Sequence, residues 1–430
     1  MLSGTPHIPP GPPLPAVAQT ALLAARPFEF VGACRARYGD IFRLRVSGVG
    51  DIVCVFDPAA IQEVFSRDGA VAHAGEANTI IAPVVGSQSI LTIDRDEHLE
   101  RRREISPAFH GLALKSAQAD IERIVAEEES RWPRERPFAL RPALQRITFR
   151  FIALLALGPQ PETRVNRLLA LFERLVSFNP AGLHPALRLD LGPLTPWGRF
   201  RRVQRLLDDE LLEIISARMR KPEQEDLLGV IVRGCEGNVQ QARDELMALL
   251  LAGHETTATA LSWAFERLAR NPRVLAAARS AASTSDFDYL DAVALETLRT
   301  RPVLSDVGRV IDQALVLGGY TLPAGTTLRL SIALVQSDPR NYPQPDEFRP
   351  ERFIGVRPDP KIWLPFGGGR RRCIGAALAQ VEMRTILRHV LARRSVQAPD
   401  PRPERPAPRG VTYAPGRDAF LRLPVVRADR

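Results

Sequence analysis

Apolar positions change their spacing several times along this chain, and the changes outline its elements. Ile41-Phe42-Arg43-Leu44-Arg45-Val46 and Asp51-Ile52-Val53-Cys54-Val55-Phe56 alternate at period two around Gly48-Val49-Gly50, which predicts a β-hairpin. Elsewhere the spacing is helical. Arg26 to Tyr38 predicts a helix stopped by Gly39-Asp40, and Asp57-Pro58 starts a short one through Phe65. Residues 69–93 have little period and predict a loop with a short helix. Helical spacing returns over 94–130, a strongly charged stretch, and over Phe138 to Leu157, which ends at Gly158-Pro159. It recurs over 163–178 and 199–220, on either side of a stretch rich in proline and glycine (Pro180, Gly182, Pro185, Gly192, Pro193, Pro196, Gly198).

Asn238 to Arg270 is the longest periodic run, about 48 Å at about 1.5 Å per residue. Asn238 with Gln241 resembles a capping box, and Asn271-Pro272 stops the helix. Residues 286–300 predict another helix. Short strands follow around Arg309-Val310-Ile311 and Leu315-Val316-Leu317, then a turn at Pro323-Ala324-Gly325 and a strand from Thr326 to Ile332. A further helix opens at Ala376. The tail beyond Pro399 carries strand-like patches at Gly410-Val411-Thr412 and Phe420 to Leu423. No repeat or linker divides the chain. The prediction is one mainly α domain, 1–430, with a smaller β-rich part and a proline-rich segment at 1–13.

Composition narrows the setting. The chain has 430 residues, and 45% hydrophobic with 25% charged residues is ordinary for a globular protein. Its four cysteines (Cys34, Cys54, Cys235, Cys373) are scattered, which fits a reducing cytosol rather than a disulfide framework. The net charge of +9 is almost all arginine, with three lysines among 58 basic residues. Without aromatic interleaving or a repeat, this favours an acidic protein partner over nucleic acid. The start shows no signal peptide, and the eight residues before Pro9-Pro10-Gly11 are too few to span a bilayer, so a soluble, cytoplasmic monomer is expected. The apolar run Leu14 to Ala25 leaves room for peripheral membrane contact.

The chemistry concentrates at Phe366-Gly367-Gly368-Gly369-Arg370-Arg371-Arg372-Cys373-Ile374-Gly375. A thiol at a helix start beside arginines is pushed toward thiolate by positive charge and unpaired N–H groups, and a thiolate is a good ligand for a soft metal. A lone cysteine is more often simply buried, and the missing Lys-Ser/Thr ending argues against a phosphate loop. Mid-helix, Ala252-Gly253-His254-Glu255-Thr256-Thr257 predicts a bulge or kink, or alternatively a close crossing of two helices at a small-residue patch.

Phe366, Gly369, Arg371, Cys373 and Gly375 together match Phe-x-x-Gly-x-Arg-x-Cys-x-Gly, and the chain here resembles the cytochrome P-450 superfamily. Further matches are the Ala/Gly-Gly-x-Asp/Glu-Thr motif at Ala252 to Thr256, Glu296-x-x-Arg299, Phe348 to Phe353, Pro107 to Gly111 and Arg409 to Thr412. The resemblance implies the fold of that family, with the long helix on one face of a haem b and the cysteine loop on the other. It implies Cys373 as the thiolate ligand of the iron, with Phe366 and Gly375 shaping the loop. Gly253 would open a groove for dioxygen, Thr256 would bond the oxygen, and Glu255 would relay protons. His98, Arg102, Arg309 and Arg371 match the propionate contacts. Glu296, Arg299 and Arg352 would form a buried network that steadies the loop. Ser305-Asp306 departs from the usual apolar residues, so Asp306 either meets a polar group of the substrate or pairs with an arginine.

The implied activity is a monooxygenase acting on a hydrophobic small molecule. No flavin or iron–sulfur module is visible, so electrons would come from a ferredoxin or flavodoxin with its NAD(P)H reductase. That donor would dock on Arg370, Arg372, Arg101, Arg103, Arg384 and Arg388. Competing expectations are a peroxide-driven enzyme of the same fold, an isomerase or dehydratase that needs no oxygen, and a haem sensor or nucleic-acid binder without catalysis.

Overall fold

A computed structural model describes residues 7–176, 190, 192–221, 226–284 and 286–426. The N-terminal part opens with helices α1 (Ala16–Ala25) and α2 (Pro27–Tyr38), followed by strands β1 (Ile41–Val46) and β2 (Gly50–Val55). Helix α3 (Pro58–Ser66) starts with Pro58 in its first turn, and the Asp57 carboxylate accepts the Ala60 N–H at 2.8 Å. The expected loop over 69–93 is more ordered than its spacing suggests. It holds strand β3 (Ala72–His73) and the single-turn helices α4 (Ala74–Ala77) and α5 (Ala82–Val85). The charged stretch 94–130 is not one helix: α6 (Arg95–Ile105) and α7 (Leu112–Glu129) are separated by a 3₁₀ turn at Ser106–Phe109 and by Gly111, at φ +60°. Pro107 is the local cause, because it has no N–H to continue the ladder.

Strand β4 (Phe138–Ala139), α8 (Leu140–Leu157), α9 (Glu162–Val176), α10 (Pro196–Met219) and α11 (Leu227–Gly234) lead to α12 (Val239–Arg270). The proline-rich stretch between α9 and α10 lies mostly outside the described residues. Helix α12 has 32 residues and is α-helical throughout, with no break at Gly253. The Asn238 side chain accepts the Gln241 N–H at 3.1 Å, as expected of its cap. Asn271-Pro272 does end it, but Pro272 then serves as the first residue of α13 (Pro272–Thr284). That helix and α11 were not foreseen. Helix α14 (Phe287–Thr300) follows.

Strands β5 (Asp306–Ile311), β6 (Leu315–Leu317), β7 (Tyr320–Leu322) and β8 (Thr327–Ser331) precede α15 (Ala333–Gln336) and the cysteine helix α16 (Ala376–Arg393). The tail forms β9 (Pro406–Arg409), β10 (Thr412–Pro415) and β11 (Phe420–Leu421). Gly410 and Val411 are therefore the turn of a hairpin rather than a strand. One five-stranded sheet has the order β1-β2-β8-β5-β3, with β2 and β8 parallel and the other pairs antiparallel. The main core lies between α12 and the helices around it, and a second apolar cluster lies under the sheet.

Candidate active site around the cysteine loop

The cysteine loop is built by glycines that tolerate what other residues cannot. Gly367 and Gly369 both adopt φ +65°. A Cβ on Gly368 would collide with the Phe65 ring, and one on Gly369 with the Asp68 carboxylate, so the loop lies flat on α3. The Cys373 N–H donates to the Phe366 carbonyl at 2.9 Å and closes the loop before α16 begins. Phe366 packs edge-on against Trp363 at 5.7 Å. Of the four cysteines, Cys373 alone is exposed. Its pKa is nonetheless raised, first by burial, while the Gly375 N–H on its sulfur and the charges of Arg102 and Arg372 pull the other way. The expected push toward thiolate is present but does not dominate. Cys54 and Cys235 are buried, with pKa values pushed up to about 12 and about 11 by burial.

Four residues chosen from sequence gather near Cys373. Arg371, Arg102 and Arg309 all act electrostatically on the His98 ring, whose pKa falls to about 3, chiefly through burial and then through Arg371 and Arg102. His98 is therefore neutral at ordinary pH. Arg309 is buried and paired with Asp68, with Nε–Oδ1 at 2.6 Å and Nη2–Oδ2 at 3.2 Å. Arg371 donates to the Ile90 carbonyl at 2.9 Å and also to Ile93 and to the Asp94 carboxylate. Arg102 has no carboxylate partner among the described residues. Sequence reasoning missed Asp68 and Asp94, which sit far from their arginines in the chain.

The face of α12 around Ala252 is unusual for a central helix. Leu250 and His254 are fully buried, yet Ala252 is exposed and Gly253 and Thr256 are half-buried. The Thr256 hydroxyl donates back to the Ala252 carbonyl at 2.5 Å. A Cβ on Gly253 would lie 2.6 Å from Ile152 of α8. The demand for glycine thus comes from the helix crossing, the alternative named above, with no bulge needed. Glu255 points away from Thr256. It accepts from Arg141 at 3.0 Å, Gln145 at 2.6 Å, Thr259 at 3.2 Å and Thr412 at 3.4 Å. One more carboxyl was missed: Glu382 on α16, buried against Thr257, with its pKa raised well above the ordinary value by burial. Its only sequence signal is a carboxylate within the apolar run of α16.

The Glu296 network is present. Arg299 makes a bidentate pair with Glu296, at 2.7 and 2.9 Å, and donates to the carbonyls of Gln336, Pro345 and Glu347. Arg352 Nε lies 3.5 Å from Glu296. The Gln336 side chain links the end of α14 to the Leu364 N–H, two residues before Phe366, which is how the network reaches the loop. Asp306 meets Arg329 at 2.6 Å, the second of its two expected roles. Three of the expected docking arginines are engaged elsewhere: Arg101 is buried beside Glu245 and Cys235, Arg384 pairs with Asp291, and Arg388 with Glu122.

The family model for cytochrome P-450 matches residues 8–420, nearly the whole chain. The chain belongs to the cytochrome P-450 family. It is 40% identical to cytochrome P-450 135B1 of Mycobacterium tuberculosis, across 100% of this chain and 94% of that protein. It is 35% identical to cytochrome P-450 138 of the same organism, across 90% of this chain and 89% of that one. Among solved structures, retinoic acid-bound cyanobacterial CYP120A1 superposes with a TM-score of 0.86 at 25% identity, covering 98% of this chain and 100% of that one.

Cytochromes P-450 are haem-thiolate monooxygenases whose haem is held by an axial cysteine. The residues around Cys373 fit that group. Arg309 also donates to the Gly308 carbonyl at 2.8 Å, so Arg309 and Arg371 each make three of the five N–H bonds a guanidinium can donate and keep two N–H groups free among the described residues. No described residue crowds Gly375, where an added Cβ would meet Phe109 at 4.0 Å. An open sulfur with an N–H donor and free guanidinium donors on one side form a set suited to a metal macrocycle bearing two carboxylates. No described helix is long and apolar enough to cross a membrane.

Proposed function

We propose that this cytochrome P-450 inserts one atom of dioxygen into a C–H or double bond of a hydrophobic small molecule, with Cys373 as the axial thiolate. The observation that carries this reading is the exposure of Cys373, with the Gly375 N–H on its sulfur, while the other three cysteines are buried. When bound, the haem supplies oxygen activation, and thiolate donation favours O–O cleavage. The raised thiol pKa is no obstacle, because a thiol that coordinates a metal is deprotonated outright, its proton passing to solvent. The Gly375 N–H and the charges of Arg102 and Arg372 then favour the anion at the sulfur.

His98, Arg102, Arg309 and Arg371 would hold the propionates; His98, being neutral, serves as a hydrogen-bonding group and not as a charge. On the opposite face, Thr256 hands on a proton by releasing its bond to the Ala252 carbonyl. Glu255 would pass protons inward from the side of the Arg141–Asp418 pair, once turned away from Gln145 and Arg141. Gly253 fixes how closely α12 crosses α8 and so where Thr256 stands.

The hydrophobic substrate class is supported by the related CYP120A1, which is bound to retinoic acid. Electrons come from a separate ferredoxin- or flavodoxin-type donor with its NAD(P)H reductase. Arg103, Arg370 and Arg372 are exposed and free of ion pairs among the described residues, and they would meet its acidic face. Four free cysteines are consistent with a cytoplasmic setting.

Turnover of a substrate found by its haem-band shift, run under oxygen-18 gas with reductant and donor proteins, tests the reading. One labelled oxygen atom per product is expected. Turnover without reductant would replace it with isomerisation or dehydration, and turnover on hydrogen peroxide alone with a peroxygenase. Haem binding without turnover on any substrate or oxidant would make the protein a sensor.

A further inference from the structure

Two carboxylates beside the propionate arginines, one buried and one half-buried, call for a function. Asp68 is 2% exposed and spends both oxygens on Arg309, which also lies 5.4 Å over the Phe65 ring. Asp94 holds Arg371 and is itself fixed by the N–H groups of Gly75 at 3.0 Å and Glu76 at 2.9 Å. His98, among these groups, is neutral. Three arginine charges (Arg102, Arg309 and Arg371) therefore face two aspartate charges, and the propionate end carries one net positive charge instead of three.

We propose that Asp68 and Asp94 are positioning residues that set the electrostatics of the haem. They hold Arg309 and Arg371 ready as hydrogen-bond donors, so that the propionates are bound by geometry, while their negative charges cancel most of the arginine field. Reducing the iron adds an electron, and fixed negative charge nearby disfavours it. The pair keeps the resting protein in its oxidised state at potentials where uncompensated arginines would let it be reduced. This rests on the haem placement proposed above.

The test is the midpoint potential of the purified holoprotein, with Asp68→Asn, Asp94→Asn and, as a control, Asp291→Asn, which removes a surface carboxylate paired with Arg384. Each of the first two should raise the ferrous-to-ferric ratio at fixed solution potential about tenfold, equivalent to about 59 mV for a one-electron couple. The control should shift it far less. Asp94 is half-buried, and asparagine there keeps the Gly75 N–H bond through its amide oxygen while giving up the one from Glu76, so it reports even if Asp68→Asn fails to fold. An unchanged potential in folded Asp94→Asn with an intact haem band, or a shift equal to that of Asp291→Asn, overturns the proposal. Loss of the haem band in Cys373→Ser but not in these variants keeps the haem placement separate from it.

Discussion

Replacing Arg299 with leucine should be among the most damaging single changes in this chain. Both Arg299 and Glu296 are buried, with side-chain exposure of 0%. Removing the guanidinium leaves Glu296 as a buried carboxylate, a loss of about 3–5 kcal/mol for a broken buried pair. The carbonyls of Gln336, Pro345 and Glu347 lose their donor as well, at about 1–3 kcal/mol for each group left unpaired. These losses overlap, because Arg352 and the Arg349 N–H still reach Glu296. A net loss of roughly 5 kcal/mol is expected, comparable to the whole stability of many domains. Arg299→Lys should recover only part of it, since an ammonium cannot reproduce the planar fork. The assay is a urea titration followed by tryptophan fluorescence, with haem content measured alongside. Replacing both residues with leucine should cost less than Arg299→Leu alone. A loss below about 1 kcal/mol for Arg299→Leu would refute the view that this network steadies the segment leading to the cysteine loop.

Three further outcomes are expected. His254 is fully buried against Phe149, both ring nitrogens lack partners, and its pKa falls to about 3 through burial. The unfolded chain then binds more protons between about pH 6.5 and pH 3, so stability is complete above that window and declines as the pH falls through it. His254→Phe should flatten the decline by up to about 1.4 kcal/mol per pH unit, and an unchanged slope would count against it. Gly253→Ala should destabilise by about 1–3 kcal/mol through overpacking despite its better helix propensity, and adding Ile152→Ala should remove most of that clash; a double-mutant cycle with no coupling would place the demand for glycine elsewhere. Arg103→Glu with Arg372→Glu should slow reduction by a ferredoxin-type donor and weaken its salt dependence; stopped-flow traces identical to wild type would exclude this face as the docking site.

Much of the site was legible because its residues recur at fixed local spacing. Cys373 and its glycines, His98 with Arg102, and Glu296 with Arg299 each fall within one loop or one helix face. What spacing does not carry is the partner brought from elsewhere in the chain. Asp68 meets Arg309 and Asp94 meets Arg371 across more than 240 residues, and neither aspartate is unusual in its own segment. For the same reason Arg101 looked like a surface charge until Glu245 and Cys235 were found beside it. Helix α13 escaped notice because Asn271-Pro272 reads only as the stop of α12, whereas Pro272 also opens the next helix. Gly253 looked like a break in α12 and proved to be a contact with α8, a choice that requires knowing where Ile152 lies.

The ferrous carbon monoxide spectrum of Cys373→Ser, beside Cys235→Ser, tests the central claim most directly. The account predicts that Cys235→Ser keeps the thiolate band of the wild-type protein and that Cys373→Ser loses it. A thiolate band that survives in folded, haem-containing Cys373→Ser would mean that another cysteine ligates the iron and would contradict the account.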